Sequence, residues 1–491
     1  MYETMREPLV NAPDDIRHDA ATESLPSLNT GTARERANVV ALVRRYGWNA
    51  TSFQVLEPGY HYFFPGDGDE ACVAYVDTGR AWVAAGAPLA HAERMAAVAG
   101  AFIAAARAAG RRACLFATEE RFTAQSQLRS LPIGEQAVWD PADWPAALAR
   151  GGRLREQLRR ARAKGVRVRE VDAGEAMKPG TATRAAVSDL VESWLRSREL
   201  APMGFLVQVD PLTLFPEHRL FLAERVTEAE PGTRGETGGK LVALLSMAPI
   251  YARNGWSLQH LIRMPDAPNG TTETLIDCAM RWAANAKADL LTLGLAPLAG
   301  DVPAPLRLAR RAGRALFDFE GLRAFKAKLR PARWDRVFLS FPPEVGPVRA
   351  VLDVLAAFAR GGLLRFGLRT LMRGPILVVR LLAWLLVPWT VLLASVDARV
   401  WFPRPAVKWA WVAFDATLFV ALSMLHRRWR DGLALAITAA IGADAVLTVL
   451  EAVTWNVPRM TTPGEWAVLA VAISAPIAAF ITLWRARVRG R

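Results

Sequence analysis

The sequence predicts a soluble α/β region followed by a bundle of four membrane-spanning helices, and two observations predict it. Between about residues 33 and 341, short β-rich runs (71–76, 113–117, 290–293) alternate with amphipathic stretches (91–109, 271–286). From residue 375 onward, four apolar segments (375–396, 406–425, 432–453 and 466–484) each approach the ~20 residues that cross a bilayer. Trp401, Trp409, Trp455, Trp466 and Trp484 stand near their ends, as an interfacial belt requires.

Composition supports this division. Of 491 residues, 52% are hydrophobic and 22% charged, which excludes a disordered chain. Cys72, Cys114 and Cys278 lie far apart and form neither a CxxC pair nor a disulfide framework. Residues 1–32 are polar, without the basic start and apolar core of a signal peptide, and read as a flexible tail.

The net charge of +14 separates into two parts. Residues 344–491 hold 17 cations and 8 acids, whereas the preceding residues hold 44 and 39. In the C-terminal part the cations are topological. Arg360, Arg365, Arg369, Arg373, Arg427, Arg428, Arg430, Arg485, Arg487, Arg489 and Arg491 fall on one side of the spans, against Arg399, Arg404, Lys408 and Arg459 on the other. Eleven against four places the soluble region and both termini in the cytoplasm, with the chain in the cell (inner) membrane. Residues 344–374 read as a basic amphipathic connector on the inner leaflet. Arg380, Asp415, Asp444 and Glu451 lie within the spans, where charge is costly. Snorkelling and packing inside the bundle account for them, as does a transport or lipid-binding role.

Three segments of the soluble region carry candidate chemistry. The run 153–169 has Arg153, Arg155, Arg159, Arg160, Arg162, Lys164, Arg167 and Arg169, with Glu156 its only acid. A solvated helix usually interleaves acids, so phosphate contact is favoured over a merely solvated face. In 255–283, a strand is followed by the turn PDAPNG and a helix that begins near Thr271, with Glu273 in its first turn. His260 is suited to act as a base near neutral pH, and Arg263 to hold a phosphate or carboxylate. In a regular strand the two point to opposite faces, so a joint role needs a bulge between them. A packed histidine and a capping glutamate fit the same residues. In 319–334, Arg323, Lys326, Lys328, Arg330 and Arg333 alternate with Phe319, Phe325 and Trp334, a mixture suited to an RNA end or a nucleotide.

The sequence has no P-loop, GxSxG elbow, GxGxxG after a strand or metal-ligand cluster. Arg310–Ala315, RRAGRA, only loosely fits the pyrophosphate loop of acetyl-CoA transferases.

Eight pieces, in order, resemble the synthetase domain of the lysylphosphatidylglycerol synthase family: YGWNATSF (46–53), GAPLA (86–90), IGEQAVWD (133–140), LRRARAKGVRV (158–168), WLRSR (194–198), IRMPDAPNG (262–270), LGLAPLAG (293–300) and FEGLRAFKAKLRP (319–331). The resemblance implies tandem acetyltransferase-like (GNAT) domains, 33–150 and a catalytic 151–343. It implies transfer of an aminoacyl group from aminoacyl-tRNA to a membrane phospholipid hydroxyl, phosphatidylglycerol or similar, with no cofactor or metal. Carried onto this chain, it makes His260, Arg263 and Glu273 catalytic candidates and Asn269, Gly270 and Phe205 substrate contacts. Arg155, Arg159, Arg160, Arg323, Lys326 and Lys328 become tRNA contacts. His260 stands where the family has aspartate, Glu273 where it usually has aspartate, and Pro202–Met203–Gly204–Phe205 replaces its Glu-x-Gly-Phe. These departures put a cationic amino acid in doubt. An acetyl-CoA-dependent acyltransferase and a non-catalytic membrane module remain as alternatives.

Overall fold

Among the described residues, eleven strands form one sheet: β1 (His61–Phe63), β2 (Val73–Asp77), β3 (Ala81–Ala85), β4 (Arg112–Glu119), β5 (Arg129–Trp139), β6 (Val166–Asp172), β7 (Arg219–Arg225), β8 (Lys240–Ile250), β9 (Gly255–Arg263), β10 (Leu290–Pro297) and β11 (Arg333–Phe341). Their spatial order is β1-β2-β3-β4-β11-β5-β10-β9-β8-β7-β6. The computed structural model describes residues 33–489 apart from 67–69, 199, 210–211, 227–238, 314–316, 361, 372–374 and 428–429. The expected tail at 1–32 lies outside them, as do Arg373, Arg428, Arg491 and the end of RRAGRA.

One arrangement occurs twice. β3 and β4 are parallel and joined through the Met95–Ala108 helix, and β9 and β10 are parallel and joined through the Thr271–Asn285 helix. Antiparallel strands precede each unit, the acetyltransferase-like pattern. The halves then exchange their closing strands. β5 pairs with β10, β11 pairs with β4, and β5 and β11 pair with each other, all antiparallel.

β7 and β8 are nearly continuous apolar runs because both faces of the sheet are covered. Phe221, Ala223, Leu245 and Met247 pack against the Thr271–Asn285 helix, while Leu220, Leu222 and Leu244 pack against Ala182–Arg196.

The expected connector at 344–374 divides. The Pro347–Phe358 helix buries Ala350, Val354 and Ala357 in the core of the first half, because that spacing presents one apolar stripe to the sheet. Buried Asp353 accepts two hydrogen bonds from the Arg112 guanidinium, at 2.8 and 2.6 Å. This helix is therefore core, not surface connector. Only Leu363–Leu371 is a separate amphipathic helix, with Leu363, Leu364 and Leu368 exposed.

Four apolar helices follow: Pro375–Ser395, Pro405–Arg427, Asp431–Glu451 and Pro463–Arg489. Three stretches, Pro405–Leu425, Asp431–Arg459 and Pro463–Arg485, are long and apolar enough to cross a membrane, and the first helix adds the shorter apolar stretch Leu381–Ser395. Large apolar side chains such as Trp384, Val391, Val446 and Val453 face outward, as lipid contact requires.

Glu57 is buried in the first half, and burial pushes its carboxyl up to about 8 while nearby Arg360 opposes the rise. The folded state therefore binds a proton that the unfolded state has released. Stability should fall as pH rises from about 4.5 to about 8. Thermal melts across that window should show Glu57→Gln with a flatter pH dependence than wild type; parallel curves would contradict the assignment.

Candidate active site

β9 and β10 stay paired only across residues 255–257 and 290–292. β10 then becomes irregular at Gly294 (φ 69°) and continues along β5 alone, so the two parallel strands part and leave a notch. The Phe319–Lys328 helix lies over β10 there, its N-terminus capped by Asp318, whose carboxylate accepts the Gly321 N–H at 2.8 Å. Lys326 Nζ donates to the carbonyls of Leu293, Gly294 and Leu295 at 2.7, 2.8 and 3.0 Å. These three bonds match the donors of an ammonium to carbonyls at the β10 irregularity. Burial pushes the Lys326 pKa down to about 7. Lys326, expected at the RNA, is instead a strut of the notch, because its helix turns that face onto β10.

Glu273 and Lys328 form the other polar pair, with Lys328 Nζ donating to Glu273 Oε1 at 2.6 Å. Glu273 is buried, whereas Lys328 is about a third exposed and lies over the Phe325 ring. Arg323 stacks on Trp334 at 4.8 Å and reaches Glu135 at 3.5 Å. Two partly exposed cations of one helix thus sit on aromatic faces, one of β11 and one of the helix itself. Arg263 points to the sheet face that carries the Thr271–Asn285 helix, and its guanidinium donates to the Ala267 carbonyl at 2.6 Å, closing the PDAPNG turn. Gly270 ends that turn at φ 94°, where a Cβ would come within 2.5 Å of the Gln157 carbonyl oxygen. Gly270 and Thr271 are buried near the Gly152–Ala163 helix, which leaves the helix start closed to an anion, while Asn269 beside them is exposed.

The structure separates His260 from this group. The bulge in β9 falls between Leu258 and His260, not between His260 and Arg263, so the latter two face opposite sides of the sheet. His260 is buried, its Nδ1 2.9 Å from Ser246 Oγ and its Nε2 3.4 Å from the Gln208 carbonyl. A donor is needed at Nε2, so Nδ1 accepts from the serine hydroxyl and neither nitrogen is left for a substrate. Burial pushes its pKa down to about 4, and that of His218 to about 3. Phe205 also belongs elsewhere. At φ 58° it is buried among Tyr60, Phe116 and Phe358, ring centroids 6.0, 6.0 and 5.3 Å away, in the core of the first half.

In the basic run, Arg155 donates to the carbonyls of Leu148 and Ala149. Arg159 and Arg160 flank Glu156 at 2.8 and 2.6 Å and hold its carboxyl down to about 2. One acid therefore serves two arginines at i,i+3 and i,i+4, although both stay about two-thirds exposed. Arg162 contacts buried Asp277 at 3.2 Å, which also accepts from Trp144 Nε1 at 2.9 Å and Arg281 Nε at 3.1 Å. Sequence reading missed Asp277 and Glu135; the i,i+4 spacing of Asp277 and Arg281 was the one available signal for the former. Among the described residues, no three His, Cys, Asp or Glu come together as a metal site.

Replacing Lys326 with methionine leaves three carbonyls without their donor and should lower stability by about 2–3 kcal/mol. Arg159→Ala, at the surface, should leave it nearly unchanged. Denaturation midpoints check both, and an unshifted Lys326→Met midpoint would contradict the strut.

The sequence profile described as phosphatidylglycerol lysyltransferase, C-terminal, matches residues 40–341. A phosphatidylglycerol lysyltransferase of Bacillus subtilis (strain 168) is 31% identical over 111 residues, which is 21% of this chain and 13% of that protein. This chain thus aligns with only a small part of that relative's length. Two solved structures share the fold. One is a C-terminal domain assigned to a lysylphosphatidylglycerol synthetase of Agrobacterium fabrum (TM-score 0.54, 21% identity, covering 67% of this chain and 99% of that one). The other is the L-PGS structure of Bacillus licheniformis (TM-score 0.53, 19% identity, covering 66% and 96%). With the profile spanning more than half of its residues, this chain belongs to the phosphatidylglycerol lysyltransferase C-terminal family.

Proposed function

We propose that this protein moves an aminoacyl group from aminoacyl-tRNA to the hydroxyl of a membrane phospholipid, phosphatidylglycerol or a close relative, at the cytoplasmic face. The observation that carries this reading is the β9–β10 notch, with Glu273–Lys328 and the stacked Arg323 nearby, in a family-matched region fastened to apolar helices. The fastening is short. The Gly204 N–H donates to the Phe358 carbonyl at 2.9 Å, and the Ala201 N–H to Thr370 Oγ1 at 3.2 Å, so the segment before Phe205 touches both helices leading to the membrane.

In this reaction the lipid oxygen attacks the ester carbonyl carbon, and the bond from that carbon to the terminal ribose oxygen breaks. One ester replaces another, and the lipid hydroxyl proton ends on the ribose oxygen. In our reading Glu273 carries that proton, and Lys328 stabilises negative charge on the carbonyl oxygen. Trp334, Phe325 and Arg323 offer faces for the terminal bases, while Arg159 and Arg160 meet phosphates farther along the RNA. Arg263, Asn269 and Gly270 shape the turn beside the notch. In our reading the lipid is presented by a four-span bundle, and the excess of cations in one set of loops supports a cytoplasmic position for both termini.

The test is transfer of labelled amino acid by the full chain in phosphatidylglycerol vesicles. A labelled lipid that disappears with RNase is expected, and Glu273→Gln should lower its rate about 100-fold and Lys328→Ala about 10-fold. His260→Gln should leave the rate per folded molecule unchanged. RNase-insensitive transfer from acetyl-CoA, or no transfer with any amino acid, would overturn the proposal.

A further inference from the structure

We propose that the membrane bundle contains a binding site for a phospholipid with a primary-ammonium headgroup. A cavity of about 470 Å³ lies between its helices. Most of the wall is leucine, valine, alanine and tryptophan, but Asp415, Asp444 and Glu451 line it, together with Asn456. The Asp431–Glu451 helix passes into a π-helical turn at Ala452–Asn456, which places Asn456 in the wall.

Several of these polar groups are left unsatisfied. Asp415 is 6% exposed and Asn456 8% exposed. Asp415 Oδ2, Asn456 Oδ1 and Glu451 Oε1 have no hydrogen-bond partner among the described residues. The other Glu451 oxygen accepts from Trp411 Nε1 at 3.0 Å, and Asp444 accepts from the Thr448 hydroxyl at 3.2 Å, so these carboxylates are held toward fixed partners. Inside hydrocarbon an unpaired acceptor is costly, and a bound cation removes that cost.

The chemistry selects the cation. Metal ions need several clustered ligands, and no such group of three exists among the described residues. An ammonium brings three N–H donors and is satisfied by two or three oxygens. Apolar walls within the bilayer-spanning part then suit the acyl chains of a lipid entering from the side. The inference goes beyond the proposed transfer and does not require it, although that reaction makes a lipid of this class.

Native mass spectrometry of the full chain tests this, with lysyl-phosphatidylglycerol, phosphatidylethanolamine and phosphatidylglycerol offered in equal amounts. Wild type should retain at least one ammonium lipid about fivefold or more over phosphatidylglycerol. Preference for lysyl-phosphatidylglycerol alone identifies an aminoacylated headgroup, and equal preference for both identifies any primary ammonium. Asp415→Asn with Asp444→Asn should bring the ratio near one, with Asp415→Asn alone as the milder variant should the pair not fold. Glu273→Gln should leave the ratio unchanged, so loss of transfer and loss of lipid binding are read separately. Equal retention of all three lipids by wild type, or an undiminished preference in both aspartate variants, would overturn the proposal.

Discussion

Each half of the sheet is completed by the closing strand of the other, and this exchange constrains everything built on it. Because β10 is held along β5, it cannot follow β9, and the parallel pair must part after three residues. The parting turns carbonyls 293–295 toward the Phe319–Lys328 helix, which answers with Lys326. The same exchange seats β11 beside β4, so the next helix, Pro347–Phe358, lands on the first half and leads from there toward the membrane. Notch and membrane attachment are thus two results of one topology.

Charge holds the exchanged region together. Arg253, just after β8, is only 11% exposed and lies between Glu119 at the end of β4 (3.3 Å) and Asp335 in β11 (3.8 Å). Its guanidinium also faces the Trp48 ring, with Arg121 on the same ring at 4.2 Å. Burial raises the Glu119 carboxyl, and Arg253 opposes that rise. Removing one member of such a group strands the others in the interior, so the pairing specifies how the halves meet more than it adds net stability.

Much of the architecture was legible in the sequence because it depends on local pattern. Apolar alternation and runs revealed strands and helices, and four apolar segments revealed the bundle. The site was less legible because its residues are sorted by tertiary packing. Lys326 and Lys328 are two residues apart in one basic segment, yet the first is buried on β10 carbonyls and the second meets Glu273 near the surface. Helix rotation relative to β10 decides between them, and no spacing rule encodes it. Residue type alone suggests chemistry for His260, but a bulge one position before it, rather than after, leaves it facing the other side of the sheet from Arg263. Phe205 followed a motif whose backbone here turns into an aromatic core. Arg159 and Arg160 remain exposed as expected, with Glu156 paired to both.

The most direct measurement of the central claim, that the RNA acceptor end enters the β9–β10 notch, is site-specific photocrosslinking. p-Benzoylphenylalanine placed at Trp334, Arg159 or Phe205 of the full chain is irradiated with aminoacyl-tRNA, and the captured nucleotide is mapped. The account predicts crosslinks from position 334 to the 3′-terminal nucleotides, from 159 to nucleotides farther from that end, and none from 205. Capture of the 3′ end from position 205 or 159, with none from 334, would contradict it.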